Sequence, residues 1–153
     1  MHAGIRLGYA LLLGVAWAAG PAGAVEPEAS ASDCFLTAFK AGDAEAVAAC
    51  YAEDAVMWFP GGPMVKGREA IRDGFAGYLA TVEIKDVRLD GMGQESMGDT
   101  RVAWGTYEIH FVDKATQVES VDRGRFVDVQ KKIDGRWLYT VDHPSSEPAA
   151  PGE

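Results

Sequence analysis

The chain has 153 residues, with 14 Lys and Arg against 23 Asp and Glu, and a formal charge of −9. That length allows one domain and hardly two, and an acidic surface argues against nucleic acid, whose phosphates need a basic patch. Hydrophobic residues at 48% and charged residues at 24% are globular proportions, which excludes a disordered or fibrous chain.

The N-terminus stands apart. Arg6 precedes an apolar stretch from Leu7 to Ala19, and Ala22 and Ala24 fit the small-residue positions of a signal-peptidase site. The stretch is shorter than the ~20 residues of a comfortable membrane span. The expectation is a signal peptide over 1–24, cleavage before Val25, export to the periplasm or the extracellular space, and no stable membrane span after processing. An uncleaved anchor is the alternative.

A linker over 25–31 leads to helices. Ser30 with Asp33 three residues on is a capping-box arrangement, and Phe35, Leu36 and Phe39 form the stripe that follows. Gly42 ends this helix and Asp43 caps a second, whose buried face carries Val47, Cys50 and Tyr51. Ala55–Phe59 reads as a strand, Pro60-Gly61-Gly62-Pro63 as a turn and Met64-Val65 as a short return. Gly67-Arg68-Glu69 starts a third helix, with Ile71, Phe75, Tyr78 and Leu79 on one side. Strands follow at Val82–Lys85 (continued by Val87 and Leu89), Arg101–Val112, Val118–Lys132 and Trp137–Asp142, with a turn at Asp134-Gly135. Pro144, Pro148 and Pro151 among Ser, Ala and Glu mark a disordered end. The domain is therefore bounded at 32–145, with a tail at 146–153. Helices first and an antiparallel meander after them make the class α+β.

Cys34 and Cys50 are the two cysteines, each eight residues from Gly42, so a hairpin turning there brings them level. With export, the spacing predicts a Cys34–Cys50 disulfide; buried free thiols are the alternative.

Several segments together carry a resemblance. Ala41-Gly42-Asp43-Ala44-Glu45-Ala46-Val47, then Tyr51-Ala52-Glu53-Asp54-Ala55-Val56, resembles the opening of the nuclear transport factor 2-like superfamily. Gly67-Arg68-Glu69-Ala70-Ile71 is similar to the third-helix signature of its SnoaL-like branch. Gly124-Arg125-Phe126-Val127-Asp128-Val129, Asp134-Gly135-Arg136-Trp137 and Asp142-His143 resemble the closing strands, as in the branch near the calcium/calmodulin-dependent kinase II association domain. The resemblance covers roughly Asp33 to Ser145. It implies a cystatin-like cone, a curved antiparallel sheet wrapped around three N-terminal helices, with a pocket at the open end. The superfamily holds isomerases, dehydratases, cyclases, epoxide hydrolases and binding or assembly domains, so the resemblance implies no activity.

Candidate site residues come from strand parity. Val102, Trp104, Thr106, Glu108 and His110 share one face of their strand, and Ala103, Gly105, Tyr107, Ile109 and Phe111 share the other. Glu108 beside a neutral His110 is a candidate general base; a solvated outer face or subunit interface is the alternative. Asp142 and His143 point to opposite sides. Parity places His143 with Trp137, Tyr139 and Val141, and the resemblance adds that the kinase association domain carries a His on its last strand. His143 is thus the first catalytic candidate and Asp128 the second, the alternative being a rim residue. Asp122, Arg123, Arg125 and Asp128 form a candidate internal ion-pair set, since epoxide hydrolases of the superfamily use Asp-Arg-Asp; surface salt bridges are the alternative. Trp58, Tyr78, Trp104, His110, Arg125 and Tyr139 are candidate ligand-binding residues, although tryptophans such as Trp58, Trp104 and Trp137 are more often core than ligand platform. Beyond the signal peptide the chain has only His110 and His143, with no His-x-x-x-His, no Cys-x-x-Cys and no phosphate-cradling glycine motif, so no metal site and no cofactor are expected.

Three functions remain open. The first is an exported small-molecule-binding or accessory protein with an aromatic-lined conical pocket. The second is a cofactor-free isomerase, dehydratase or hydrolase acting on a small apolar metabolite through a pocket His or Asp. The third is an assembly domain. Apolar residues on both faces of the strands also predict a homodimer through the outer face of the sheet.

Overall fold

The computed structural model describes residues 29–147. The signal-peptide expectation over 1–24 therefore lies outside the described residues, as do most of the linker and the end of the tail.

The first helix, α1 (Ala31–Lys40), begins where its capping box closes. The Asp33 N–H donates to Ser30 Oγ at 3.1 Å, and the Ser30 N–H donates to Asp33 Oδ2 at 2.8 Å. Gly42 turns the chain with φ 68°, a conformation that suits glycine. Asp43 Oδ1 then accepts from the Ala46 N–H to cap α2 (Ala44–Ala48). This helix is shorter than its sequence pattern predicts. Tyr51 opens strand β1 (Tyr51–Trp58) because the Tyr139 N–H reaches the Cys50 carbonyl at 3.0 Å and sheet pairing replaces the next helical turn. A Cys34–Cys50 disulfide, with Cα atoms 5.8 Å apart, joins α1 to the end of the α2 segment.

The short β2 (Met64–Lys66) precedes α3 (Arg68–Thr81), which buries Ile71, Phe75 and Leu79 at successive four-residue steps. Four long strands complete the domain: β3 (Val82–Met97), β4 (Thr100–Asp113), β5 (Glu119–Ile133) and β6 (Arg136–Ser146). The order across the sheet is β2-β1-β6-β5-β4-β3. The antiparallel expectation needs one correction, because β1 and β6 run parallel. The meander starts at the far edge and returns to β1 only on its fourth strand, so the α3 segment and three strands serve as a long crossover. Pro144, Ser145 and Ser146, where the sequence suggested a disordered end, pair with Phe126, Arg125 and Gly124 inside the sheet.

The sheet curves around the helices as an unclosed cone. Phe35 packs on Tyr139 and Phe75 on Tyr51, and Phe39 stacks on Phe35 and Tyr78, with ring centroids 5.0–6.4 Å apart. Bulges set which residues face in. Lys85 is an extra residue in β3 between Ile84 and Asp86, and Thr140 is an extra residue in β6 between Tyr139 and Val141. Each inverts the alternation beyond it.

Candidate functional site

The concave face of the sheet, α1, α3 and the Phe59–Pro63 turn enclose a cavity of about 580 Å³. Its wall is mostly apolar, with Phe35, Phe39, Phe75, Leu89, Ile109 and Phe126 among the lining residues. Two groups of polar side chains interrupt that wall.

The first is buried. Asp128 on β5 and Asp142 on β6 are direct cross-strand partners, only 1% and 9% exposed. Side chains so paired stand about 5 Å apart, close enough that two negative charges repel. Among the described residues each carboxylate has one donor. The Tyr51 hydroxyl donates to Asp142 Oδ2 at 2.7 Å, and the Gln130 amide donates to Asp128 Oδ1 at 2.9 Å. Asp128 Oδ2 and Asp142 Oδ1 accept no hydrogen bond among the described residues.

Burial disfavours the charged form of both acids. It raises Asp128 to about 7, aided by the Asp142 charge and opposed by the Gln130 hydrogen bond. It raises Asp142 to about 6, opposed by the Tyr51 hydrogen bond. Their charges interact, and between about pH 6 and about pH 7 Asp142 is ionised while Asp128 keeps its proton.

The elements around the pair fix these donors. The Ala31 N–H at the start of α1 donates to Gln130 Oε1 at 3.3 Å, which leaves the Gln130 NH2 for Asp128. The Arg68 guanidinium donates through Nε and Nη2 to the Tyr51 carbonyl at 2.9 and 2.6 Å and also pairs with Glu53. The Gly67-Arg68 signature thus reaches the cavity through Tyr51. Gly67 at φ 92° caps α3, and Arg68 holds the backbone whose side chain donates to Asp142.

The second polar group lies further along the same strands. Asp122 Oδ2 accepts from the Tyr107 hydroxyl and from Ser146 Oγ, both at 3.2 Å, and the two hydroxyls lie 3.0 Å apart. Tyr107 reaches this position because its ring crosses Gly124: a Cβ there would meet the ring at 2.5 Å and the Ser145 carbonyl at 2.2 Å. Phe126 crosses Gly105 in the same way in the opposite direction. Burial raises the Tyr107 hydroxyl to about 12, so it stays a donor.

The sequence-derived candidates divide between the two faces. Asp128, Tyr78 and Tyr139 line the cavity. His143 does not. Thr140 bulges, so Tyr139 and Asp142 face inward although three residues apart, and His143 turns outward onto Trp58, with ring centroids 5.3 Å apart. Trp58 is itself outward, between the inward Met57 and Phe59. Trp104 lies over Gly93 on the outer side. His110, Glu108 and Arg123 form an outer charge chain, and Arg125 extends toward Glu147. The expected internal ion-pair set is therefore split, with Asp122 and Asp128 inside and both arginines outside. Trp137 is buried under the Arg101 guanidinium. Asp142, Tyr107, Ser146 and Tyr51 carry the cavity chemistry that parity missed. The one available signal was that either Asp142 or its neighbour had to face inward. No group of three or more His, Cys, Asp or Glu among the described residues could hold a metal ion. No helix among them is long and apolar enough to cross a membrane.

The sequence profile of the SnoaL-like domain matches residues 33–140. The chain belongs to the SnoaL-like family. Three solved structures place this SnoaL-like domain in the nuclear transport factor 2-like cone. A ketosteroid isomerase-like protein from Erwinia carotovora atroseptica is 25% identical over 77% of this chain and 92% of its own, with a TM-score of 0.70. A candidate calcium/calmodulin dependent protein kinase II association domain from Xanthomonas campestris is 26% identical over 78% and 84%, with a TM-score of 0.64. A nuclear transport factor 2-like superfamily protein from Salmonella enterica is 16% identical over 80% and 91%, with a TM-score of 0.66. No curated protein matches the chain.

Proposed function

We propose that this SnoaL-like domain is an exported, cofactor-free enzyme that moves a proton on a small, largely apolar carbonyl compound, by isomerisation or dehydration. One observation carries the reading: two adjacent carboxyls on one wall of an apolar cavity, shifted by burial to about 7 and about 6. Asp142, kept the stronger acid by the Tyr51 donor, is the base. It takes the proton from the carbon next to the carbonyl. Asp128, protonated, donates a hydrogen bond to the carbonyl oxygen as negative charge develops there. In isomerisation Asp142 returns the proton to another carbon. In dehydration a β-hydroxyl leaves as water with the proton of Asp128, and Asp142 keeps the one it took. A relative named ketosteroid isomerase-like is consistent with this chemistry.

A binding protein without chemistry would use the same cavity, but it has no need of two neighbouring buried carboxyls in its wall. Export is supported by the Cys34–Cys50 disulfide, a cross-link that persists in oxidising compartments. A homodimer through the outer face is supported by exposed Trp58, Val121 and Val127 on that side.

Deuterium exchange beside the carbonyl of 2-tetralone, followed by proton NMR, tests the proposal. The rate should peak between about pH 6 and pH 7, where one carboxyl is ionised and the other is not. Asp128→Asn should lower it about 100-fold. Exchange no faster than in buffer, or untouched by that substitution, would overturn the reading.

A further inference from the structure

We propose that Tyr107, Asp122 and Ser146 form a second polar station that receives a hydroxyl at the far end of the ligand. The substrate class is then an elongated, rigid apolar molecule with a carbonyl at one end and a hydroxyl at the other. This rests on the reading of Asp128 and Asp142 as the reacting end.

Both stations line one cavity, and apolar side chains separate them. Asp122 and Asp128 share the inner face of β5 six residues apart, and Asp142 and Ser146 share that of β6 four residues apart. At ~3.3 Å per residue these separations are about 20 and 13 Å along the strands. Sheet curvature and side-chain reach shorten the gap to roughly 10–15 Å, the length of two or three linked or fused rings.

The chemistry of the outer station selects a donor. Tyr107 and Ser146 direct their hydroxyls at Asp122 Oδ2, while Asp122 Oδ1 accepts nothing among the described residues. In the free protein Oδ1 of the part-buried Asp122 is open to water, and a ligand that covers it must replace the water's hydrogen bond, which a hydroxyl does. A ligand ending in a methyl or phenyl group would leave the oxygen unpaired and out of water, so the station discriminates by what it leaves unsatisfied. The glycine at position 124 gives the arrangement its shape, because only there can the Tyr107 ring cross β5 and deliver its hydroxyl. The cluster also ties the end of β6 to β4 and β5, a structural role that would not depend on the ligand.

The probes are 4-(4-hydroxyphenyl)cyclohexanone and 4-phenylcyclohexanone, which differ only in the terminal hydroxyl, titrated into the whole protein by calorimetry. The hydroxylated ketone should bind about tenfold more tightly. Asp122→Ala should reduce that ratio to about one and leave the affinity for 4-phenylcyclohexanone unchanged, whereas a purely structural cluster would weaken both ketones alike. Tyr107→Phe, which keeps the ring over Gly124, should lower the ratio in part and serves if the alanine variant does not fold. Equal binding of the two ketones, no binding of either, or a ratio that survives Asp122→Ala would overturn the proposal. Asp142→Asn should stop deuterium exchange on both ketones and leave the ratio intact, which separates failure of the outer station from failure of the proton-transfer reading.

Discussion

On the concave face of the sheet, Asp128 and Asp142 stand in an apolar cavity and are raised to about 7 and about 6 by burial. On the convex face Glu108 lies in water between His110 and Arg123, whose hydrogen bonds hold it below the usual carboxylate range. The same chemical group thus moves in opposite directions on two sides of one strand layer. The two histidines among the described residues, His110 and His143, are both on the convex side. Burial brings two aspartates close to neutral pH on the concave side. The comparison teaches that acid–base residues in such a cone are found by asking which carboxyls lose water, not which residues start near pH 7.

The sharpest way to break the comparison is to disturb the concave face where strands and rings touch. Gly124→Ala should cost more than about 3 kcal/mol in urea unfolding, because its Cβ would overlap the Ser145 carbonyl at 2.2 Å and the Tyr107 ring at 2.5 Å. Gly77→Ala, on α3 with nothing within 4 Å of the new Cβ, should be neutral or stabilising by up to about 1 kcal/mol.

Next in size is the tie behind the concave face. Reducing the Cys34–Cys50 bond reopens a sequence separation of 16 residues and should lower stability by about 3 kcal/mol. Unfolding with and without reductant measures it.

The buried acids come third. A carboxyl whose folded pKa lies above its unfolded value contributes fully below pH ~4, and that contribution is lost as pH rises through the folded value. For Asp128 this window runs from about 4 to about 7. Asp128→Asn should therefore stabilise the protein, by roughly 2–3 kcal/mol more at pH 8 than at pH 5. Equal effects at both values would mean that the carboxyl is not held in its neutral form.

The smallest effect belongs to the convex face. Glu108→Gln should shift the melting midpoint by less than about 2 °C, since exposed ion pairs contribute little. A larger shift would place the pair inside the proposed dimer contact around Val121 and Val127 rather than at its edge.

Much of the fold was legible because it depends on local chemistry. The capping box at Ser30 and Asp33, the turn at Gly42, the four-residue spacing of Ile71, Phe75 and Leu79, and the pairing of Cys34 with Cys50 all appear as the residues imply. Tyr51 did not, because the end of α2 is decided by the distant Tyr139 N–H. The site was legible only as far as alternation lasts. β5 pairs with β4 without an extra residue, so its alternation holds and Asp128 shares the inner face with Asp122 and Phe126. Thr140 shows no glycine or proline to mark its bulge, and its hydroxyl donates to the Val129 carbonyl across the strand. One unmarked residue exchanged the places of Asp142 and His143. The Tyr107–Gly124 and Phe126–Gly105 crossings depend on strand register, which a single strand's pattern does not contain.

The exchange of Asp142 and His143 is also the most direct point of attack on the central claim, that the cavity carboxyls and not the histidines move the proton. The measurement is the rate of deuterium exchange on 2-tetralone at pH 6.5 for Asp142→Asn and His143→Ala side by side. The account predicts a loss of about 100-fold or more for Asp142→Asn and a rate within about twofold of the parent for His143→Ala. A full rate in Asp142→Asn together with a collapse in His143→Ala would contradict it.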